Sequence, residues 1–272
     1  MPLHAWLPEW WWLAYLALGL VVGFFAGMFG VGGGVIIVPL LVFLFTAQHF
    51  QTERVLHLAL GTSLASIVFT NLSSMRAHHL RGVVRWDIVR VAAPAIVVGT
   101  FVGTLSADRM SSRYLAIIFT VFVFFSSLQM WLDRRPRGTR TLPGTLGLST
   151  AGLVVGALCS LVGVGGGILV IPLMTLCDVP MINAIGTSAA LGLPISVGGA
   201  LGYMITGLGQ TELPPLSLGY VYFPALVGLV LGSLVTVPFG AHAAHRIQVI
   251  VLRRLFAIVL FFLATKMLWS LI

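Results

Sequence analysis

Gly30-Val31-Gly32-Gly33-Gly34-Val35-Ile36-Ile37-Val38-Pro39-Leu40 is followed 133 residues later by Gly163-Val164-Gly165-Gly166-Gly167-Ile168-Leu169-Val170-Ile171-Pro172-Leu173. Each copy sits inside a long stretch without a single charge, residues 10–52 and 141–177. Both stretches are too long for one membrane helix of about 20 residues and rather short for two. Glycine costs a helix about 1 kcal/mol relative to alanine, so three in a row stop it. Each stretch therefore reads as a helix, a glycine-rich break and a shorter helix: about 12–29 then 35–46, and about 146–162 then 168–176.

The rest of the chain follows from its charges. Only 8% of the 272 residues are charged and 58% are hydrophobic, against about 25% charged in a soluble domain. A soluble enzyme or a nucleic-acid binder is excluded. The net charge of +8 reads as loop arginines on the cytoplasmic side of a membrane. The uncharged runs 55–75, 91–107 and 114–132 fit one helix each, as does 255–272, which holds only Lys266. The runs 179–211 and 213–245 fit one helix plus a polar loop each. Cys159 and Cys177 read as apolar fillers, with no zinc or redox spacing. Met1 to Trp10 carries neither a basic start nor a small-residue cleavage site, so no removable leader is expected. Trp10, Trp11, Trp12, Trp86, Trp131 and Trp269 fall at segment ends, as an aromatic belt does.

The repeat extends beyond the glycines. Leu60-Gly61-Thr62-Ser63 matches Ile185-Gly186-Thr187-Ser188, and Pro94-Ala95 is a further candidate match to Pro224-Ala225. The expected fold is an all-α polytopic membrane protein of about eight membrane segments, built as two inverted repeats with one glycine-broken helix in each. Residues 1–132 and 145–272 form the halves, joined by a cytoplasmic linker, 133–144, rich in arginine, proline and glycine. With that linker inside, a second broken segment that crosses the membrane puts 9 of the 15 Lys and Arg inside. One that folds back as a hairpin puts 11 inside and gives the halves opposite orientation. The hairpin is favoured, because cytoplasmic loops are enriched in these residues and inverted repeats around broken helices are a transporter plan.

With both glycine motifs, both Gly-Thr-Ser segments and the two-half layout in view, residues 12–272 resemble the sulfite exporter TauE/SafE family. The resemblance implies a carrier that exports sulfite, an organosulfonate or a related small anion across a bacterial inner membrane. It brings over the two glycine loops and the two Gly-Thr-Ser segments as candidate site positions.

These residues suit an anion path. Gly32, Gly33 and Gly34 precede one helix, and Gly165, Gly166 and Gly167 another. A helix start offers unpaired N–H groups and a partial positive charge, and glycine lets an anion reach the backbone. Thr62, Ser63, Thr187 and Ser188 add hydroxyl donors, and Asn71 an amide. Arg76 is the candidate charged gate at a cytoplasmic vestibule. The competing readings are structural: glycines for close helix packing, hydroxyls bonded to their own helix, and Arg76 as an interfacial anchor. Histidine is the side chain suited to a charge change near neutral pH, and the chain offers His57, and His78 and His79 in the basic loop region.

All seven acids border the apolar runs and none lies inside one. A buried carboxylate is a common coupling group in proton- and sodium-driven carriers. Its absence leaves coupling through the substrate's own proton, through a histidine such as His57, or potential-driven efflux. There is no His-Glu-x-x-His, no buried acid pair and no serine with a base, so no enzyme, metal or cofactor is expected. The partners are the small anion and membrane lipid, with no nucleic acid. A homodimer is a general prior for membrane carriers. A passive anion channel, or a carrier of another organic anion, is the alternative.

Overall fold

The computed structural model describes residues 9–29, 33–51, 53–132, 142–210, 212–244, 254, 257–262 and 264–266. Residues 1–8, on which the expectation of no removable leader bears, lie outside this set, as do Gly30, Val31, Gly32 and most of the linker. The elements in chain order are α1 (Glu9–Phe29), α2 (Gly34–Ala47), α3 (Val55–Leu80), α4 (Trp86–Asp108), α5 (Ser112–Leu132), α6 (Thr145–Val162), α7 (Gly167–Leu176) and α8 (Met181–Gly207). A two-residue-per-strand hairpin, β1 (Ser217–Leu218) and β2 (Val221–Tyr222), leads into α9 (Phe223–Ala244). Residues 257–262 and 264–266 are also helical.

Among the described residues, seven helices are long and apolar enough to cross a membrane: α1, α3, α4, α5, α6, α8 and α9. The expected eighth segment, 255–272, is described only in part. The glycine breaks fall where the sequence puts them, with α1 ending at Phe29, α2 starting at Gly34, α6 ending at Val162 and α7 starting at Gly167. At 14 and 10 residues, α2 and α7 extend only about 21 and 15 Å at 1.5 Å per residue. The hydrocarbon layer is about 30 Å thick, so neither crosses it.

Helices α3 and α8 are buried over most of their length, whereas fewer than half of the residues in the membrane-length windows of the other five long helices are buried. Helix α3 packs on α8; α1 packs on α9, and α4 on α6. Exchanging α1 with α6, α3 with α8 and α4 with α9 interchanges the two outer pairings and leaves the α3–α8 pairing as it is. Glycine makes the two outer pairings close. Gly19, Gly23 and Gly27 of α1 meet α9 at Leu229, Ser233 and Val237, and Gly99 and Gly103 of α4 meet α6 at Leu153 and Ala157. A Cβ on Gly27 would lie 2.1 Å from the Val237 carbonyl oxygen, and one on Gly99 would lie 2.1 Å from that of Leu153. Small residues four apart allow this approach, which matters because lipid provides no hydrophobic force between helices.

The same contacts give direction. In both outer pairs the residue numbers rise together, so α1 runs parallel to α9 and α4 parallel to α6. Between α3 and α8 they run oppositely: Gly61 meets Tyr203, Leu64 meets Gly199 and Asn71 meets Gly192. The two most buried helices, counterparts in the repeat, are therefore antiparallel.

One expected match is corrected. Pro94 lies well inside α4, whereas Pro224 is the second residue of α9. The helix starts, Trp86 and Phe223, are the equivalent positions, and the Pro-Ala pairs are not.

Candidate functional site

Gly33 and Gly166 cap the starts of α2 and α7 with φ of 72° and 88°, a left-handed backbone. A side chain there is strained by contact of its Cβ with the following carbonyl. In each case the glycine carbonyl accepts the first helical hydrogen bonds, from Ile36 and Ile37 and from Leu169 and Val170. Neither start has a side-chain cap, so the first amides keep their hydrogen-bonding capacity.

The two breaks meet. A Cβ on Gly34 would lie 2.4 Å from the carbonyl oxygen of Gly163 and 3.1 Å from the Cα of Val164. Gly165 packs on Ile67 and Asn71 of α3, and Gly166 on Ile195 of α8. The described glycines, Gly33, Gly34, Gly165, Gly166 and Gly167, are all buried, beside the middle of the α3–α8 pair. Gly32 lies outside the described residues.

Asn71 is buried at this meeting point, and its Nδ2 donates to the Ser196 hydroxyl at 3.4 Å. Ser196 stands nine residues after Thr187, as Asn71 stands nine after Thr62. The two are thus equivalent positions facing each other. Ser196 was not singled out from the sequence, although the spacing of the repeat marks it. Its hydroxyl also bonds back to Gly192 and Leu193. Gly192 approaches closely enough that a Cβ would lie 2.7 Å from Asn71 Nδ2 and 2.8 Å from the Gly165 carbonyl oxygen.

The Gly-Thr-Ser segments join the halves. Thr62 Oγ1 accepts the Tyr222 N–H at 3.0 Å, just before α9. Thr187 Oγ1 accepts the Arg85 N–H at 3.0 Å, just before α4. The preceding glycines make room, since a Cβ on Gly61 would lie 2.2 Å from the Tyr220 carbonyl oxygen, and one on Gly186 would lie 3.2 Å from that of Val83. Thus α3 fastens the start of α9 and α8 fastens the start of α4, at opposite ends of the α3–α8 pair. Ser63 donates to the Gly163 carbonyl at 3.0 Å, tying α3 to the other half's glycine break. Ser188 is buried at the equivalent place on α8, but the counterpart of Gly163, Gly30, is outside the described residues. The threonines act here as acceptors of backbone N–H groups, a role that only the tertiary structure reveals.

Thr62→Val keeps the shape and leaves the buried Tyr222 N–H without its acceptor, which costs about 1–3 kcal/mol. The expected result is a lower unfolding temperature in detergent for Thr62→Val and near-normal stability for Thr62→Ser. An unchanged melting curve for Thr62→Val contradicts the fastening role.

Arg76 is exposed in the last two turns of α3 and is not part of the meeting point. His78 and His79 end that helix rather than occupying a loop, and His79 Nδ1 accepts the Trp86 indole N–H at 3.2 Å. His57 is fully buried, with Nε2 2.9 Å from the Ala107 carbonyl oxygen. Cys159 and Cys177 are free thiols. Among the described residues no three His, Cys, Asp or Glu side chains gather as metal ligands do.

Comparison with known proteins fits this arrangement. The family model described as "Sulfite exporter TauE/SafE" matches residues 15–267. The chain belongs to the TauE/SafE family. A Haemophilus influenzae protein described as "Probable membrane transporter protein" is 34% identical over 256 residues, covering 94% of this chain and 97% of its own. A relative of the same description in Methanocaldococcus jannaschii is 27% identical, covering 77% of each chain. YunE of Bacillus subtilis, also so described, is 29% identical over 71% of this chain and 78% of its own. No solved structure matches the chain. A TauE/SafE member with seven spanning-length helices among its described residues is a multi-pass membrane protein, and its relatives are described as probable membrane transporters.

Proposed function

We propose that this TauE/SafE protein is a secondary carrier that exports sulfite, or a related small sulfur-containing or sulfonate anion, across the bacterial inner membrane. The observation that carries the proposal is the meeting of two glycine breaks, one from each half, beside Asn71 and Ser196. The breaks bring two uncapped helix starts to one buried region, and helix starts favour anions. Asn71 adds an amide donor there. Neutral donors hold an oxyanion without the deep trap of a buried arginine, and the anion must also leave. An interior-negative membrane favours anion efflux by about 2.3 kcal/mol per charge per 100 mV.

The halves are inverted in this proposal. Antiparallel α3 and α8 support it, and the parallel outer pairs agree with a chain that reverses direction at every turn from α1 to α9. The α6–α7 unit is then a hairpin, which is also the arrangement with 11 of 15 Lys and Arg inside. Residues 1–132 and 145–272 are the two halves. The fastenings at Thr62 and Thr187 sit at opposite ends of the central pair, where gates of an alternating carrier belong.

Sulfite efflux from proteoliposomes of the purified protein tests the substrate. Saturable efflux that survives excess sulfate, and is inhibited by taurine if sulfonates share the path, is the expected result. A folded protein that moves no sulfite discards that substrate. Efflux that rises linearly with concentration favours the passive anion channel.

A further inference from the structure

At the end of α3 farthest from Arg76 lies an open cavity of about 750 Å³. The end of α2, the start of α3 and the turn between α4 and α5 enclose it. Its charged lining comprises three guanidiniums, Arg54, Arg109 and Arg113, against two carboxylates, Glu53 and Asp108. The acids do not neutralise the arginines pairwise. Asp108 accepts a 2.9 Å hydrogen bond from the Tyr220 hydroxyl, which in turn accepts one from Arg54 Nη1 at 3.1 Å. Burial, then the adjoining Asp108 carboxylate, raises the Tyr220 phenol well above the ordinary tyrosine range, so it remains a donor to Asp108. Arg109 and Arg113 are exposed, and neither makes an ion pair or side-chain hydrogen bond among the described residues.

The fold does not demand this polarity. Counting from the two Gly-Thr-Ser segments and from the starts of α4 and α9, the equivalents of Arg54, His57 and Tyr220 are Val179, Ile182 and Val83. At these three positions one end of the protein is polar where the other is apolar. The floor of the cavity is also the outer face of a fastening. Tyr220 bonds Arg54 through its side chain, its carbonyl packs on Gly61, and Tyr222 two residues on is held by Thr62. Arg54 is about two helical turns from Thr62 on α3.

The geometry points to an anion-binding vestibule in which Arg109 and Arg113, with Arg54 at the floor, hold a small oxyanion or sulfonate just outside the Thr62 fastening. This rests on the carrier reading above and adds a second station to the path. Guanidinium forks match the paired oxygens of such anions, and a cleft lined with an excess of one charge concentrates the opposite ion. A phospholipid phosphate has the same chemistry, so the test separates the two sources.

The reporter is Ser111→Cys, exposed in the cavity wall, in a Cys159→Ala/Cys177→Ala background in phosphatidylcholine nanodiscs. Its rates with an anionic thiosulfonate reagent (ethylsulfonate) and a cationic one (ethyltrimethylammonium) are compared with those of a free thiol. The expected anionic preference is about fivefold or more above the free thiol. It should collapse in Arg109→Gln/Arg113→Gln and shrink at about 0.5 M salt, and methanesulfonate should slow the reaction. No preference, or one indifferent to the double substitution, overturns the proposal. So does a preference erased by adding phosphatidylglycerol, which assigns the cavity to lipid. In proteoliposomes the double variant should raise the half-saturating concentration of sulfite supplied from the side of this cavity about five- to tenfold, with the maximal rate largely kept. Saturable wild-type sulfite flux with an unchanged double variant sinks the vestibule and keeps the carrier. Charge preference and methanesulfonate protection in a protein that moves no sulfite support the vestibule and sink the substrate.

Discussion

Gly34→Ala is expected to cut anion flux from proteoliposomes severalfold to more than a hundredfold. Its Cβ would lie 2.4 Å from the Gly163 carbonyl oxygen, an atom of the other half's backbone. No rotamer relieves a clash with backbone, so the two glycine breaks must move apart. Overpacking of this kind costs about 1–3 kcal/mol and sometimes more. If that cost falls on the closed arrangement of the two breaks, flux drops by about fivefold to beyond a hundredfold. Gly209→Ala is the control, because nothing lies within 4 Å of its Cβ position, and its flux should be unchanged. Monodisperse elution and a cooperative melt separate a blocked Gly34→Ala carrier from an unfolded one. Normal flux in folded Gly34→Ala contradicts the role given to the meeting of the breaks.

Asn71→Leu is the second large effect. Leucine keeps the heavy-atom count and the branching and removes the amide donor. Ser196 stays satisfied by the carbonyls of its own helix, so the substitution leaves its hydroxyl paired. A hydrogen bond to a charged group is worth about 1.5–3 kcal/mol, which predicts sulfite affinity reduced by about tenfold to a hundredfold. Ser196→Ala should weaken binding less, since that hydroxyl is already committed to the backbone. Unchanged half-saturation in Asn71→Leu places the anion elsewhere.

Much of this architecture is legible in the sequence, because a membrane leaves few alternatives. Charge-free runs mark the spans, and tripled glycines mark the breaks to within a few residues. The glycine spacing in α1 and α4 also carries the outer helix pairs. What stays hidden is what only contact decides. Thr62 and Thr187 look like donors to a ligand, yet they receive backbone N–H groups from the other half, and nothing local announces a partner 160 or 102 residues away. Strands β1 and β2 are two residues each, too short for any periodicity to show. The link from α8 to α9 is longer than that from α3 to α4, so offsets drift along the repeat, and this is why the Pro-Ala pairs mislead. Ser196 is the instructive omission, since carrying the Thr62–Thr187 offset nine residues further reaches it from Asn71.

Sulfite counterflow in proteoliposomes tests the carrier most directly. Vesicles loaded with unlabelled sulfite and diluted into trace labelled sulfite should accumulate label transiently above equilibrium, because a carrier returns loaded from each side. Wild-type protein should show the overshoot, and Gly34→Ala and Asn71→Leu should lose it. Label that merely equilibrates with the electrical gradient clamped, at a rate linear in sulfite, would contradict a carrier built on these two facing glycine breaks.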